Sequence, residues 1–198
     1  MVKQVAYRRK SASERRQELI QAGIRCLGQG GMSGFTIDEI CKQARVSRGL
    51  INHHFQGKQD LLLKIYTDMT EHLVQAPSGR KPGEILRSII DSNFDESNFN
   101  KSNLRAWLSI WGQVPTNPEL NSLHLHRYRI YQQRIENALM GIVGRRNPDM
   151  DTNSIARQLI ALIDGLWLEY CLHSEGFSLA TARADCYRML NVYGIELN

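Results

Sequence analysis

Apolar residues in this chain return every three or four positions, and the stretches where they do so are separated by short clusters of Gly, Pro, Ser and Asn. That spacing is the period of one helix face, and nowhere does the strict alternation of a half-buried strand replace it. Leu19, Ile20, Ile24 and Leu27 predict a first helix from about Glu14 to Gly28, behind Ser13 and ended by the Gly28 to Gly31 region. Ile37, Ile40 and Ala44 predict a short second helix, with the Thr36 hydroxyl placed to cap its first free amides. Val46 can plug the corner that follows. Ser47 stands where a cap would open a third helix of about two turns, too short to be stable alone and backed by Leu50, Ile51 and Phe55. Lys58 opens a fourth helix striped with Leu61, Leu62, Ile65, Met69 and Leu73 and broken at Ala76-Pro77-Ser78-Gly79. Past Pro82 the same period predicts helices from Gly83 to about Glu96, Ser102 to Val114, Pro118 to Gly144, Thr152 to Ser174 and Ser178 to Tyr193. Pro115, Pro118, Pro148 and Gly176 stand at the breaks. The expected fold class is all-α: a three-helix N-terminal domain over residues 1–57, then a helical second domain over residues 58–198.

Charge changes this picture more than composition does. The chain is 42% hydrophobic and 23% charged, ordinary for a globular protein. Up to Asp60, however, 11 Lys and Arg stand against 5 Asp and Glu, while the remainder is close to neutral. An anionic partner for the N-terminal part follows. Lys3, Arg8, Arg9, Lys10, Arg15 and Arg16 form the densest cluster and read as an arm and helix start that neutralise phosphates. No apolar run approaches the roughly 20 residues of a membrane span, and the start MVKQVAYRRKSASERRQ lacks the apolar core of a signal peptide. The expected setting is the cytoplasm, without membrane contact. Cys26, Cys41, Cys171 and Cys186 are far apart and fit free thiols.

Within the N-terminal part, Thr36 to Lys58 reads TIDEICKQARVSRGLINHHFQGK, a helix-turn-helix followed by the opening of another helix. The outward side of its second helix presents Arg48, Asn52 and His53, hydrogen-bonding side chains on the kind of short helix that a major groove admits. The run T-I-x-x-I-x-x-x-A-x-V-S-x-G-x-I-x-x-H-F-x-x-K-x-x-L resembles the signature of the TetR-like family of one-component transcriptional repressors. It is carried here by Thr36, Ile37, Ile40, Ala44, Val46, Ser47, Gly49, Ile51, His54, Phe55, Lys58 and Leu61. The resemblance implies a double-stranded DNA operator as partner and a homodimer on a palindrome. The candidate DNA-binding residues are Thr36, Arg45, Ser47, Arg48, Gly49, Asn52, His53, His54 and Lys58. Family members often carry Tyr where this chain has Asn52, and Asn can pair with adenine in a bidentate way that Tyr cannot.

Two strings of the second domain carry the resemblance further. Asn93-Phe94-Asp95-Glu96 with Arg105-Ala106-Trp107-Leu108-Ser109-Ile110-Trp111, and Ala161-Leu162-Ile163-Asp164-Gly165-Leu166-Trp167-Leu168, are similar to the ligand domain of the choline-responsive branch of that family. A small-molecule effector, a quaternary amine such as choline, is what this implies. Independently, Trp107 and Trp111 stand four apart and Trp167 and Tyr170 three apart. Aromatic faces about a cation are each worth on the order of 0.5 to 2 kcal/mol. Asp164 would add the counter-charge, making Trp107, Trp111, Asp164, Trp167 and Tyr170 the candidate ligand-binding residues. The same spacing suits an ordinary aromatic core, and both readings stay open on sequence. The last two helices are apolar over more than one face, which fits either interior burial or a two-fold four-helix dimer bundle.

Catalysis finds no support. His53 and His54 belong to the recognition segment, and His124 and His126 are two apart and diverge on a helix. No Gly-rich phosphate loop, G-x-S-x-G elbow or metal-ligand spacing is present, so no enzyme, metal or cofactor is expected.

Overall fold

The computed structural model describes residues 11–75, 79–96, 99–144 and 147–197, and among these the regular structure is entirely helical. The arm residues Lys3, Arg8, Arg9 and Lys10 and the break at Ala76, Pro77 and Ser78 lie outside the described residues. The elements are α1 (Ala12–Gly34), α2 (Ile37–Ala44), α3 (Arg48–His54), α4 (Lys58–Val74), α5 (Pro82–Asn93), α6 (Lys101–Trp111), α7 (Pro118–Val143), α8 (Thr152–Leu172) and α9 (Leu179–Val192).

The first helix differs from its expected bounds at both ends. Ser11, not Ser13, caps it: the Glu14 amide donates to Ser11 Oγ at 3.1 Å and the Ser11 amide donates to Glu14 Oε2 at 2.6 Å, a reciprocal capping box. At the other end the helix runs through Gly28 and breaks its geometry only at Gly31, where φ is +60°. Gly28 is a contact and not a stop. A Cβ there would lie 2.4 Å from the backbone carbonyl oxygen of Ser102 at the start of α6, so the glycine lets α6 cross α1 at close range. Because the obstructing atom is backbone, Gly28→Ala is expected to force the helices apart and lower stability by about 1 to 3 kcal/mol, read as a shift of the denaturation midpoint.

The helix-turn-helix is built as its sequence implies, with one exception. The Glu39 amide donates to Thr36 Oγ1 at 3.2 Å, and Arg45 takes the left-handed conformation, φ +56°, that ends α2. The Val46 amide then donates to the Cys41 carbonyl at 3.0 Å, and Val46 packs partly buried against the core. Ser47 occupies the cap position of α3 with extended backbone, yet its hydroxyl makes no capping bond, contrary to expectation. Ile40, Ile51 and Phe55 bury the backs of the two helices with Leu19, Leu27 and Phe35. This burial holds a seven-residue helix that could not hold itself.

From there α4 carries the chain onward with Leu61, Leu62, Ile65, Tyr66, Met69 and Thr70 buried. Its whole length is fastened to α7. At the start, Gln59 and Asn117 exchange amide hydrogen bonds at 3.0 Å in both directions. Near the end, Arg134 Nη1 donates to the carbonyls of His72 and Leu73 at 3.1 and 3.0 Å, cationic partners for the terminal carbonyls of α4. Between them, Arg127 Nη2 donates to the Thr67 carbonyl at 3.1 Å and pairs with Glu71 at 2.7 Å. On α9 the buried line is Ala182, Cys186 and Leu190. Among the described residues, no helix is long and apolar enough to cross a membrane.

Candidate DNA interface and ligand cavity

Around α3 the candidate DNA residues form one outward face. Thr36, Arg45, Ser47, Arg48, Gly49, Asn52, His53 and Lys58 are exposed and His54 is half-buried, its ring 5.0 Å from that of His53. Arg48 is not free: its Nε and Nη2 donate to the two carboxylate oxygens of Asp38 at 2.6 and 2.5 Å, a bidentate pair between α3 and α2. The Asn52 side chain, by contrast, has no hydrogen-bond partner among the described residues. Gly49 faces open space, since a Cβ there would meet only Ser47 Oγ, at 3.8 Å. Nothing inside the protein requires a glycine at that position, whereas a surface docking closely on α3 would. Lys58, at the first turn of α4, lies with its ammonium 5.6 Å from the centre of the Phe35 ring, and Arg16 lies 5.1 Å from that of Phe55.

The second site is a cavity of about 490 Å³ between α4, α6, α7 and α8. Trp107, Trp111, Trp167 and Asp164 all line it, so four of the five residues expected there are brought together. Tyr170 does not line it. Its ring packs against Phe99 at 4.8 Å and Phe177 at 5.2 Å, while the Trp167 indole, which also meets Phe99 at 6.0 Å, lines the cavity and donates to the Asn93 carbonyl at 3.2 Å. Core packing and cavity lining coexist in these tryptophans. Trp107 and Trp167 are each only 5% exposed and in mutual contact at 5.8 Å, yet both present part of their rings to the cavity.

Sequence reasoning missed three further aromatics on the wall: Tyr66, Tyr128 and Tyr131. Their signal was available, since His124, Tyr128 and Tyr131 fall four and three apart on α7, one face of a helix. What could not be read was that this face meets Tyr66 of α4, whose hydroxyl lies 2.7 Å from His124 Nδ1. Tyr131 is held by Asn93, whose side-chain amide donates to its hydroxyl at 3.2 Å.

The charge of the cavity is set by Asp164. Its carboxylate has no hydrogen-bond or ion-pair partner among the described residues, and burial pushes its pKa up to about 7. Burial, with the negative charge of Asp164 added to it, also raises the pKa values of Tyr66, Tyr128 and Tyr131, so all three phenols stay neutral. Burial lowers the pKa of His124, which keeps that ring uncharged near neutral pH. Arg127 is offset by Glu71. The cavity thus offers aromatic faces and one uncompensated acid, an arrangement that can hold a cation by its charge and by the ring quadrupoles.

Comparison with known proteins places both sites in a family. Residues 19–65 match the bacterial regulatory proteins of the tetR family, and residues 82–192 match the C-terminal domain of BetI-type transcriptional repressors. The HTH-type transcriptional regulator BetI 1 of Chromohalobacter salexigens is 35% identical over 179 residues, 87% of each chain. The HTH-type transcriptional regulator BetI of Serratia proteamaculans is 34% identical over 177 residues, 86% of this chain and 87% of its own. Among solved structures, a transcriptional regulator from Pseudomonas aeruginosa PAO1 superposes with a TM-score of 0.78 at 29% identity, covering 96% of this chain and 94% of that one. A regulator from Saccharomonospora viridis, solved in complex with choline, shares the fold at a TM-score of 0.75 and 21% identity, covering 90% and 96%. With the helix-turn-helix and the second helical region each matched, the chain belongs to the tetR family of DNA-binding transcriptional repressors, in its BetI-type branch.

Proposed function

We propose that this repressor binds a palindromic operator as a homodimer through α3 and is released by a small organic cation, choline or a relative, held in the cavity. The observation that carries the ligand reading is Asp164, a half-buried acid without a partner among the described residues, on a wall made of three Trp and three Tyr. The choline complex of the structurally similar Saccharomonospora viridis regulator supports it. For DNA, Asn52 and His53 would reach base edges, Thr36, Ser47, Lys58 and Arg45 would touch the phosphate backbone, and Gly49 would let that backbone approach. Leu172 and Val192, 64% and 83% exposed at the ends of α8 and α9, would be covered by the second subunit. The division into a reading head over residues 1–57 and an effector and dimerisation domain over residues 58–198 belongs to the same proposal.

Coupling would run through α4, which starts beneath α3 and lines the cavity with Tyr66, Thr70, Leu73 and Val74. A tilt of α4 changes the spacing of two reading heads that the DNA turn fixes at about 34 Å. To shift the population from 1:99 to 99:1, the cation must prefer the released form by about 5.5 kcal/mol. The test is operator affinity with and without choline in the wild type and in Trp111→Ala. Choline should weaken DNA binding in the wild type and do so only at higher concentration in the variant. Choline that binds yet leaves operator affinity unchanged is excluded as the effector by linkage. A neutral effector is the second reading, favoured by the same raised pKa, since near pH 7 a large fraction of Asp164 is protonated and able to donate a hydrogen bond.

A further inference from the structure

The shape of the cavity says more about its occupant than its charge does. It is lined on α4 from Tyr66 to Val74 and on α8 from Ile160 to Leu168, in each case a span of eight residues, or about 12 Å at 1.5 Å per residue. On α7 it reaches from His124 to Tyr131, about 10 Å by the same measure. Choline measures roughly 5 Å between its end atoms at about 1.5 Å per bond. A cavity of about 490 Å³ falls in the range that holds ligands several times larger than such an amine.

The distribution of polarity along this length is uneven. Asp164 stands midway along the α8 stretch, and on the wall the Trp107 ring meets those of Tyr66, Trp111 and Trp167 at 5.8, 5.5 and 5.8 Å, so aromatic faces are gathered in one zone. Beyond that zone the wall turns aliphatic. Leu73 and Val74 line it where α4 ends, and Leu108, Val114 and Pro115 line it on and just past α6. These lie toward opposite ends, because α6 and α4 run antiparallel: Tyr66 faces Trp107 at 5.8 Å, while Gln59 is bonded to Asn117 beyond the end of α6. A compact quaternary amine at Asp164 would leave this aliphatic surface against water or void, and either forfeits stabilisation that an apolar chain would supply.

We infer that the effector is an amphiphilic amine, a quaternary or tertiary ammonium head carrying an apolar chain of about four to five carbons, with the head at Asp164 and the chain reaching from there, over half the length of the cavity, to one of its two aliphatic ends. The inference rests on the cation reading given above and narrows its ligand class.

The test uses the whole protein and a series of alkyltrimethylammonium salts, from methyl to dodecyl, each kept below its micelle concentration. All three tryptophans of the chain line the cavity, so quenching of intrinsic fluorescence reports occupancy directly. The dissociation constant should fall about threefold to fourfold per added methylene, then level off or rise beyond about five carbons when the half-length from Asp164 to the cavity's end is exhausted. If tetramethylammonium and choline bind as tightly as the butyl and pentyl salts, the inference is overturned while the cation reading stands. If no amine of any length binds, the cation reading falls with it. If butanol and pentanol bind as well as the corresponding amines, the chain site is real but the charged head is not, and the proposal fails on that side.

Discussion

Replacing Asp164 with Asn is expected to make the protein more stable above neutral pH and unable to hold a cation. An acid whose folded pKa is about 7 against a model value of 3.8 takes up a proton more readily in the folded state. Its contribution is therefore neutral below about pH 4 and turns against folding as pH rises toward 7, after which it stays constant. At 1.36 kcal/mol per pH unit the full effect is on the order of 2 to 4 kcal/mol, the upper figure assuming no relaxation around the charge. Asp164→Asn removes this pH dependence. Its midpoint relative to wild type should be displaced upward more at about pH 8 than at about pH 5, whatever constant effect the amide itself has. Over the same range the wild type should bind amines about tenfold more tightly per pH unit up to about 7 and no more tightly above it, because the ionised form is the one that binds. The variant should lose at least tenfold of that affinity. A stability difference that is the same at both pH values, or cation binding that survives the substitution, would refute the role given to Asp164. The expected trade is a familiar one: a binding group left unpaired in the free protein costs stability that its ligand restores.

On the DNA side the largest expected effect belongs to Asn52. Its side chain is exposed and unpartnered among the described residues, whereas Arg48 is held in both carboxylate bonds of Asp38. Asn52→Ala should cost about 1 to 3 kcal/mol on the specific operator and relax the preference at one base step, the value of a bidentate contact to a base edge. Lys58→Ala should instead weaken all sequences alike and lower the slope of log affinity against log salt by roughly one unit, as loss of one phosphate contact does. Binding isotherms for the operator and for single-step variants, taken at several salt concentrations, separate the two. An unchanged preference in Asn52→Ala would remove it from the readout, and a changed preference in Lys58→Ala would show that the head docks in another geometry.

The local code of this chain was readable because short-range physics dominates it. The spacing of Ile37, Ile40 and Ala44, the Thr36 cap and the corner at Val46 all act within a few residues, and the structure forms α2 and the turn as they imply. Misreadings occurred where a local signal was overruled from a distance. Gly28 resembles a helix stop, but α6 lies across it and makes it an interior contact. Ser47 resembles a cap, but burial of Ile51 and Phe55 holds α3 in place without its hydroxyl. Tyr170 shares its helix with Trp167, yet Phe99 and Phe177, distant in sequence, take its ring away from the cavity.

By itself, then, the sequence determined the helical class, the helix-turn-helix and the family, and it singled out Trp107, Trp111, Trp167 and Asp164, which line the cavity, from spacing and resemblance alone. Only the tertiary structure decided which faces meet. It brought Tyr66 from α4 and Tyr128 and Tyr131 from α7 against α6 and α8, and it gave the cavity a length of more than two helical turns and an aliphatic wall. It also left Asp164 without a partner among the described residues. The reason is physical: periodicity states which side of a helix is apolar, but the identity of the opposing helix is set by packing among residues far apart in the chain. Volume, burial and the pKa of a carboxylate are properties of that packing.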